Sequence, residues 1–293
     1  MSKNASSDFN ENWKPDNPQE TLNEENYYYS GFFAAEMSCS VIKAANYNPV
    51  GHYYFAVDIT VSNADKSLLE TINLVVMQGG GIISPIKGGF NLSARGKKRV
   101  RNVLDFIDRY PIIAGDLARD RIALMQEALT YLEMHRGPSE HQAKIEAMDD
   151  IRMKLRVIKE TGIASKSYRR LHARKDIIGY FLAGVLDGDG SFGFKKSGDR
   201  QQPFLAIAMK DQKIIELLRD FIQYGNIRRR GDGMYHYEIN HQKVLQVACS
   251  LFLTKYPLCH KRQRERLQQV QRILNDYTRS RDNHYRDCAG DIV

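Results

Sequence analysis

Two acids stand out because each closes a matching stretch of residues. Tyr27-Tyr-Tyr-Ser-Gly-Phe-Phe-Ala-Ala-Glu36 and Tyr180-Phe-Leu-Ala-Gly-Val-Leu-Asp-Gly-Asp189 agree in most aromatic or apolar, small and acidic positions, with Gly31 matching Gly184 and Glu36 matching Asp189. On a helix, Gly31 and Ala35, like Gly184 and Gly188, lie four apart and share a face without bulky side chains. Two such faces can approach nearly backbone to backbone. Packing accounts for the small residues but not for the acids. Each acid falls at its helix's C-terminal end, where the macrodipole already disfavours a carboxylate. Pairing the helices brings both negative charges to one end, a place that calls for a cation, and carboxylate oxygens are the ligands Mg²⁺ prefers. Asp187 matches Ala34 in the first copy, so it is read as a supporting acid rather than one of a symmetric pair.

The elements that must hold these acids also occur twice. Ile59 to Glu70 and Leu205 to Glu216 each read as a strand running into a helix, with Asp65 matching Asp211 and Glu70 matching Glu216. Paired short strands around glycines follow, at Gly81 to Ser93 and Gly225 to Asn240. A helix then runs to a Tyr-Pro pair, with Lys97 and Lys243 the same distance ahead of Tyr110 and Tyr256. Strand alternation of period two and helical spacing of 3.6 give each half the order αββαββα, an α+β chain of two pseudo-symmetric halves. The first spans residues 24–136, the linker 137–175 and the second half 176–281. Gly137-Pro138 breaks the chain, Ser139 to Lys159 reads as an amphipathic connecting helix, and Ser165 to Lys175 as a basic linker. The proline of each Tyr-Pro pair is expected to open the next helix, and the tail beyond about Arg281 to be loose.

Leu182-Ala-Gly-Val-Leu-Asp-Gly-Asp-Gly190, followed by Ser191-Phe192, closely resembles the LAGLIDADG nonapeptide. With the degenerate first copy, the resemblance runs from Glu24 to Arg281. It implies a single-chain homing endonuclease whose antiparallel, saddle-shaped sheets sit in the major groove of double-stranded DNA. Its two motif helices then pair between the halves. It also implies that Glu36 and Asp189 bind Mg²⁺ or another divalent cation at the scissile phosphates, with a backbone carbonyl of Ala35 or Gly188 completing the coordination. Lys97 and Lys243 fall where the family often carries a basic residue near the cleavage centre, to stabilise developing charge or order the attacking water.

The strands carry side chains suited to reading DNA. Met234 to Asn240 places His236, Glu238 and Asn240 on one face and Tyr235, Tyr237 and Ile239 on the other. Arg228, Arg230 and Lys195 suit guanine or phosphate contacts. In the first half Asn91 and Ser93 alternate with Phe90 and Leu92, and Lys87 occupies the turn before them. The clusters Arg95 to Arg101 and Lys261 to Arg266 read as phosphate-facing or solvated helix surface. The first motif departs from the second. Met37 stands where Gly190 does and Cys39 where Phe192 does, so a reshaped helix exit is expected there. Met209 replaces Asn63, leaving one half without that polar side chain. These departures keep open a second reading, a non-cleaving relative that binds structured intron RNA as a maturase or serves as a nucleic-acid scaffold.

Bulk properties agree with a polyanionic partner: 43 lysines and arginines against 35 acids give a net charge of +8. Cys39, Cys249, Cys259 and Cys288 form no Cys-x-x-Cys pair, which argues against a zinc module or a disulfide framework and suits a reducing compartment. No apolar run approaches the length of a membrane span, and the polar, acidic start has no hydrophobic signal core. The expectation is an intracellular monomer in an organelle or bacterial nucleoid.

Overall fold

The computed structural model describes residues 23–45, 53–134, 141–197 and 200–290. The first half runs α1 (Tyr27–Glu36), β1 (Ser38–Ala45), β2 (Tyr53–Asn63), α2 (Lys66–Val76), β3 (Ile82–Ile86), β4 (Gly89–Arg95), α3 (Lys97–Arg109) and α4 (Asp116–Met134). After the connecting helix α5 (His141–Thr161), the second half repeats the order. It comprises α6 (Lys175–Asp189), β5 (Gly190–Ser197), β6 (Arg200–Met209), α7 (Gln212–Ile222), β7 (Ile227–Arg229), β8 (Tyr235–Ile239), α8 (Gln242–Ser250) and α9 (Lys261–Gly290). Both sheets are antiparallel with the same strand order, β1-β2-β4-β3 and β5-β6-β8-β7. The chain is therefore α+β, with two like halves.

Each sheet has one apolar face and one polar face because its strands alternate. Along β2, Val57, Ile59 and Val61 are fully buried against the helices, joined by Leu92 and Ala94 from β4. In the second sheet Leu205, Ile207, Tyr237 and Ile239 do the same. Directly paired residues share a face, so the register fixes what the opposite surface carries. In the first half this is Ser38, Ser40, Asp58, Thr60, Ser62, Asn91, Ser93 and Arg95. In the second half Lys195, Glu238, His236 and Arg228 fall on the corresponding face.

Helix α5 buries Met148, Ile151, Leu155 and Ile158, spaced as one helical stripe. The segment after it, rich in arginine and lysine, is tied down by acids from both halves. Asp120 accepts from the Ser165 N–H at 2.6 Å, Asp116 accepts from the Tyr168 N–H at 2.7 Å, and Asp220 pairs with Arg170 at 3.1 Å. The Gly137-Pro138 break lies outside the described residues.

One local expectation is corrected. Neither proline opens a helix: α4 starts at Asp116 and α9 at Lys261, after short non-helical segments that follow Pro111 and Pro257. Beyond Arg281 the chain continues as helix, α9 running to Gly290.

Candidate nuclease site at the helix crossing

Helices α1 and α6 touch along their backbones, and glycine makes this possible. A Cβ on Gly31 would lie 1.8 Å from the carbonyl oxygen of Phe181, and one on Gly184 would lie 1.9 Å from that of Tyr28. No side chain fits at either position. At the far end of the crossing a Cβ on Gly188 would lie 3.0 Å from the Glu36 Cγ and 2.7 Å from the Ala35 Cβ. The last turns of the two helices are thus neighbours, and Glu36 and Asp189 end them side by side, where β1 and β5 begin.

The electrostatics match that placement. Burial, and then the nearby Asp189 charge, push the Glu36 carboxyl up to about 8. Burial pushes Asp189 up to about 6, even though the residue still presents surface to solvent. Helix hydrogen bonding stops with Met37 N–H donating to Phe33 O and Gly190 N–H donating to Leu186 O. The carbonyls of Ala35 and Gly188 lie in final turns that have no intrahelical donor left for them. The resulting oxygen set comprises two carboxylates that repel one another and two helix-end carbonyls. It is too sparse to cage an ion alone, and among the described residues no group of three or more His, Cys, Asp or Glu could hold a metal. Such a set suits a hard divalent cation that also takes waters and substrate phosphate oxygens.

Around the acids, the halves brace each other through reciprocal contacts. Asp65 stands at the N-cap of α2, where its Oδ1 accepts from the Ser67 and Leu68 N–H groups. Its Oδ2 reaches the other half and accepts from the Lys261 N–H at 3.1 Å. Burial pushes the Asp65 carboxyl up, but the hydrogen bonds from Ser67, Lys261 and Leu68 outweigh it and hold the group below its usual value. Its counterpart Asp211, before α7, crosses the opposite way to accept from the Leu117 N–H of α4 at 2.8 Å. Asp65 therefore caps its own helix and one of the other half, whereas Asp211, at the N-cap position of α7 but with no side-chain bond to it, caps only α4.

The helices so capped then reach the motif exits. Arg121 of α4 donates to the Met37 carbonyl at 3.0 Å, and Gln263 of α9 donates to the Gly190 carbonyl at 2.7 Å. Met37 and Gly190 are equivalent residues, one after each acid. Arg121 and Gln263 were not found from the sequence because helical periodicity does not say which polar position meets the exit of the motif helix in the same half.

Asp187 is buried and structural. Its Oδ2 accepts from the Tyr28 hydroxyl at 2.7 Å and from the N–H groups of Cys259 at 2.6 Å and His260 at 2.9 Å. It thereby pins α1, α6 and the approach to α9 together. Burial pushes its carboxyl up to about 7, with those donors opposing the rise.

Among the described residues no hydrogen bond or ion pair joins Lys97 to Glu36 or Asp189. Lys97 is exposed and donates to the Leu132 carbonyl at 3.2 Å, at the far end of α4. Leu132 lies about 16 Å along that helix from Arg121, at 1.5 Å per residue. Lys243 holds the matching exposed place in the first turn of α8, and among the described residues no hydrogen bond or ion pair joins it to the acids. Lys261 is exposed in the first turn of α9, where its N–H donates to Asp65.

The expected bends at the first motif are absent as well. Met37 leaves α1 with φ −69° and ψ 131°, and Gly190 leaves α6 with φ −72° and ψ 150°. Both are extended, so the first exit needs no glycine. Asn63 accepts from the Asp65 N–H at 2.8 Å and shapes the turn into α2.

On the polar sheet faces the reading residues are partly engaged with each other. Lys195 holds both Glu238 oxygens, at 2.6 and 2.8 Å, and His236 lies 3.9 Å from the same carboxylate. Asn91 accepts from the Ser62 hydroxyl at 2.9 Å, and Ser93 donates to Asp58 at 2.7 Å. Arg228 is exposed on β7 and Lys87 in the turn between β3 and β4. Arg230 lies past β7, in the turn, paired with Asp232 at 3.1 Å, and Asn240 follows the end of β8.

A pseudo-twofold α+β protein, with an acid delivered from each half to a glycine-tight crossing, defines a narrow class. Residues 182–278 match the family model of LAGLIDADG endonucleases. Among solved structures, the LAGLIDADG homing endonuclease I-GzeII in complex with its DNA target aligns with a TM-score of 0.72. It covers 90% of this chain and 96% of that one at 15% identity. I-SmaMI bound to cleaved DNA gives 0.72 over 92% and 96% at 18% identity. I-SmaMI bound to uncleaved target with calcium ions gives 0.70 over 91% and 98%, again at 18%. At such identities the likeness carries the fold alone. No curated protein matches the chain by sequence. The second half thus carries the sequence pattern of the LAGLIDADG endonucleases, and the whole chain shares the two-motif, single-chain fold of the homing endonucleases it aligns with.

Proposed function

We propose that this protein is a site-specific endonuclease that hydrolyses both strands of a long double-stranded DNA target with the help of a divalent cation, Mg²⁺ being the natural choice. The observation that carries this reading is the meeting of Glu36 and Asp189, one from each half, where the first strands of both sheets begin. A DNA-binding scaffold gains nothing from two opposed carboxylates beside phosphate. I-GzeII and I-SmaMI, which share the fold, have been captured on DNA.

In this reading the polar sheet faces hold the duplex and the helix ends present their oxygens to the backbone between them. A cation bound by Glu36 and Asp189, with the Ala35 and Gly188 carbonyls, would supply Lewis-acid polarisation of phosphate and activation of water. Arg121 and Gln263 fix the strand exits next to the acids and so limit their movement. Lys261, two residues before Gln263 in the first turn of α9, adds positive charge on that side of the site. Because one chain provides both acids, it acts as a monomer.

The test is selection from a randomised double-stranded DNA library with Mg²⁺, sequencing the cut ends. Asp189→Asn should remove cleavage while binding to the selected target persists. Equal loss of both would make the acid structural, and cutting in chelator would overturn the metal requirement. Binding to intron RNA without any DNA cutting would favour a maturase.

A further inference from the structure

The polar face of the first sheet contains an acid where a DNA-binding surface would be expected to repel one. Asp58 of β2 has only 3% of its surface exposed, although its β2 register places it on the side away from the helical core. Its carboxylate is fully employed. Oδ1 accepts from the Ser93 hydroxyl at 2.7 Å, and Oδ2 accepts from Arg95 Nε at 3.1 Å and Nη2 at 3.0 Å. Arg95, directly opposite Asp58 in the register, keeps a side chain that is 60% exposed. Its backbone is fixed by the next residue, where the Gly96 N–H donates to Val57 O at 2.8 Å.

A guanidinium held along its Nε–Nη2 edge still has its Nη1–Nη2 end free. That end offers two parallel N–H donors, matched to the O6 and N7 acceptors that guanine shows in the major groove. The orienting acid removes much of the rotamer freedom a free arginine would lose on binding. It also makes Arg95 a poor choice for a plain phosphate contact, since its charge is already balanced by Asp58 within the sheet. Arg95 lies level with Ser40, four residues beyond Glu36, which places the base it meets within a few base pairs of the cleavage centre.

We propose that Asp58 and Arg95 form a preset guanine reader in the first half, Arg95 touching the base and Asp58 orienting it. The inference rests on the DNA-binding part of the function proposed above. The second half has a different device on its face, the Lys195–Glu238 pair, so the demand for this guanine belongs to one half-site alone.

The test is a binding selection with the full chain and a randomised duplex library in Ca²⁺, so that the readout does not depend on cutting. Wild type should require guanine at one position of one half-site. Arg95→Lys keeps the charge but loses the fork, and Asp58→Asn keeps the shape but loses the anchor. Each should relax that single position, by on the order of ten- to a hundredfold, and leave the other positions sharp. Arg95 is exposed enough for its lysine variant to fold even if the Asp58 variant does not. Retention of every preference in Arg95→Lys would overturn the proposal, as would uniform weakening across all sequences, which is the signature of a phosphate contact. If wild type selects no DNA sequence at all, the DNA reading itself fails and takes this proposal with it.

Discussion

The two halves share strand order, the glycine crossing and the reciprocal aspartate caps, yet the ends that carry their acids differ. The first half presents a glutamate pushed up to about 8, braced by a cation, Arg121, at the Met37 carbonyl. The second presents an aspartate pushed up to about 6, braced by a neutral amide, Gln263, at the Gly190 carbonyl. Scaffold positions that fix the crossing cannot vary, because backbone meets backbone there. Positions one shell out can vary if they still satisfy the same carbonyl. Two copies of one unit have thus kept a common geometry while acquiring unequal charge.

The strongest way to break the comparison is to remove one acid at a time. Glu36→Gln and Asp189→Asn should each lower double-strand cleavage by at least about a hundredfold, measured on a supercoiled plasmid bearing the selected target. If each acid serves mainly one strand, nicked circles should accumulate; linear product at the wild-type rate in either variant would refute an equal requirement.

Next in size are the glycines. Gly31→Ala and Gly184→Ala must separate the helices and should each cost about 3 kcal/mol or more, at the upper end of overpacking penalties. Gly193→Ala, whose added Cβ would make only an ordinary 3.4 Å contact with Phe204, serves as the control. Thermal melts would expose a false argument if all three behaved alike.

Protons give a smaller, signed effect. Glu36 and Asp189 bind protons more tightly folded than unfolded, since both values are raised. Their contribution to stability is therefore complete below the unfolded values and is lost as pH rises, through about 6 for Asp189 and about 8 for Glu36. In chelator, wild type should lose on the order of 1–2 kcal/mol across that window, after allowing for solvent screening. Glu36→Gln should flatten the upper part, and added divalent cation should reverse the trend.

The smallest effect sharpens the asymmetry itself. Exchanging the braces, Arg121→Gln with Gln263→Arg, should alter the relative nicking rates of the two strands by about tenfold or less. Unchanged nicking order would show that the unequal charges do not reach the chemistry.

Much of the architecture was legible because repetition supplies an internal control. Gly31 against Gly184 and Glu36 against Asp189 declared which positions each half requires, and period-two alternation assigned the strand faces. Lys97 and Lys243 occupy equivalent places at the starts of α3 and α8, but equivalence in sequence says nothing of distance from the acids. Arg121, Gln263 and Asp58 were missed because each works across a fold-level contact with no local signature.

From its residues alone this protein had a duplicated unit, helices able to touch at glycine, an acid at each helix end and a basic surface. These are matters of covalent order and local periodicity, which short-range sterics and hydrophobic patterning impose directly. The tertiary structure decided which oxygen donors meet, which half braces which helix, and which charged side chains remain free to face another molecule. Those depend on long-range packing, where a buried carboxylate such as Asp58 or Asp187 finds partners that no spacing rule along the chain can supply.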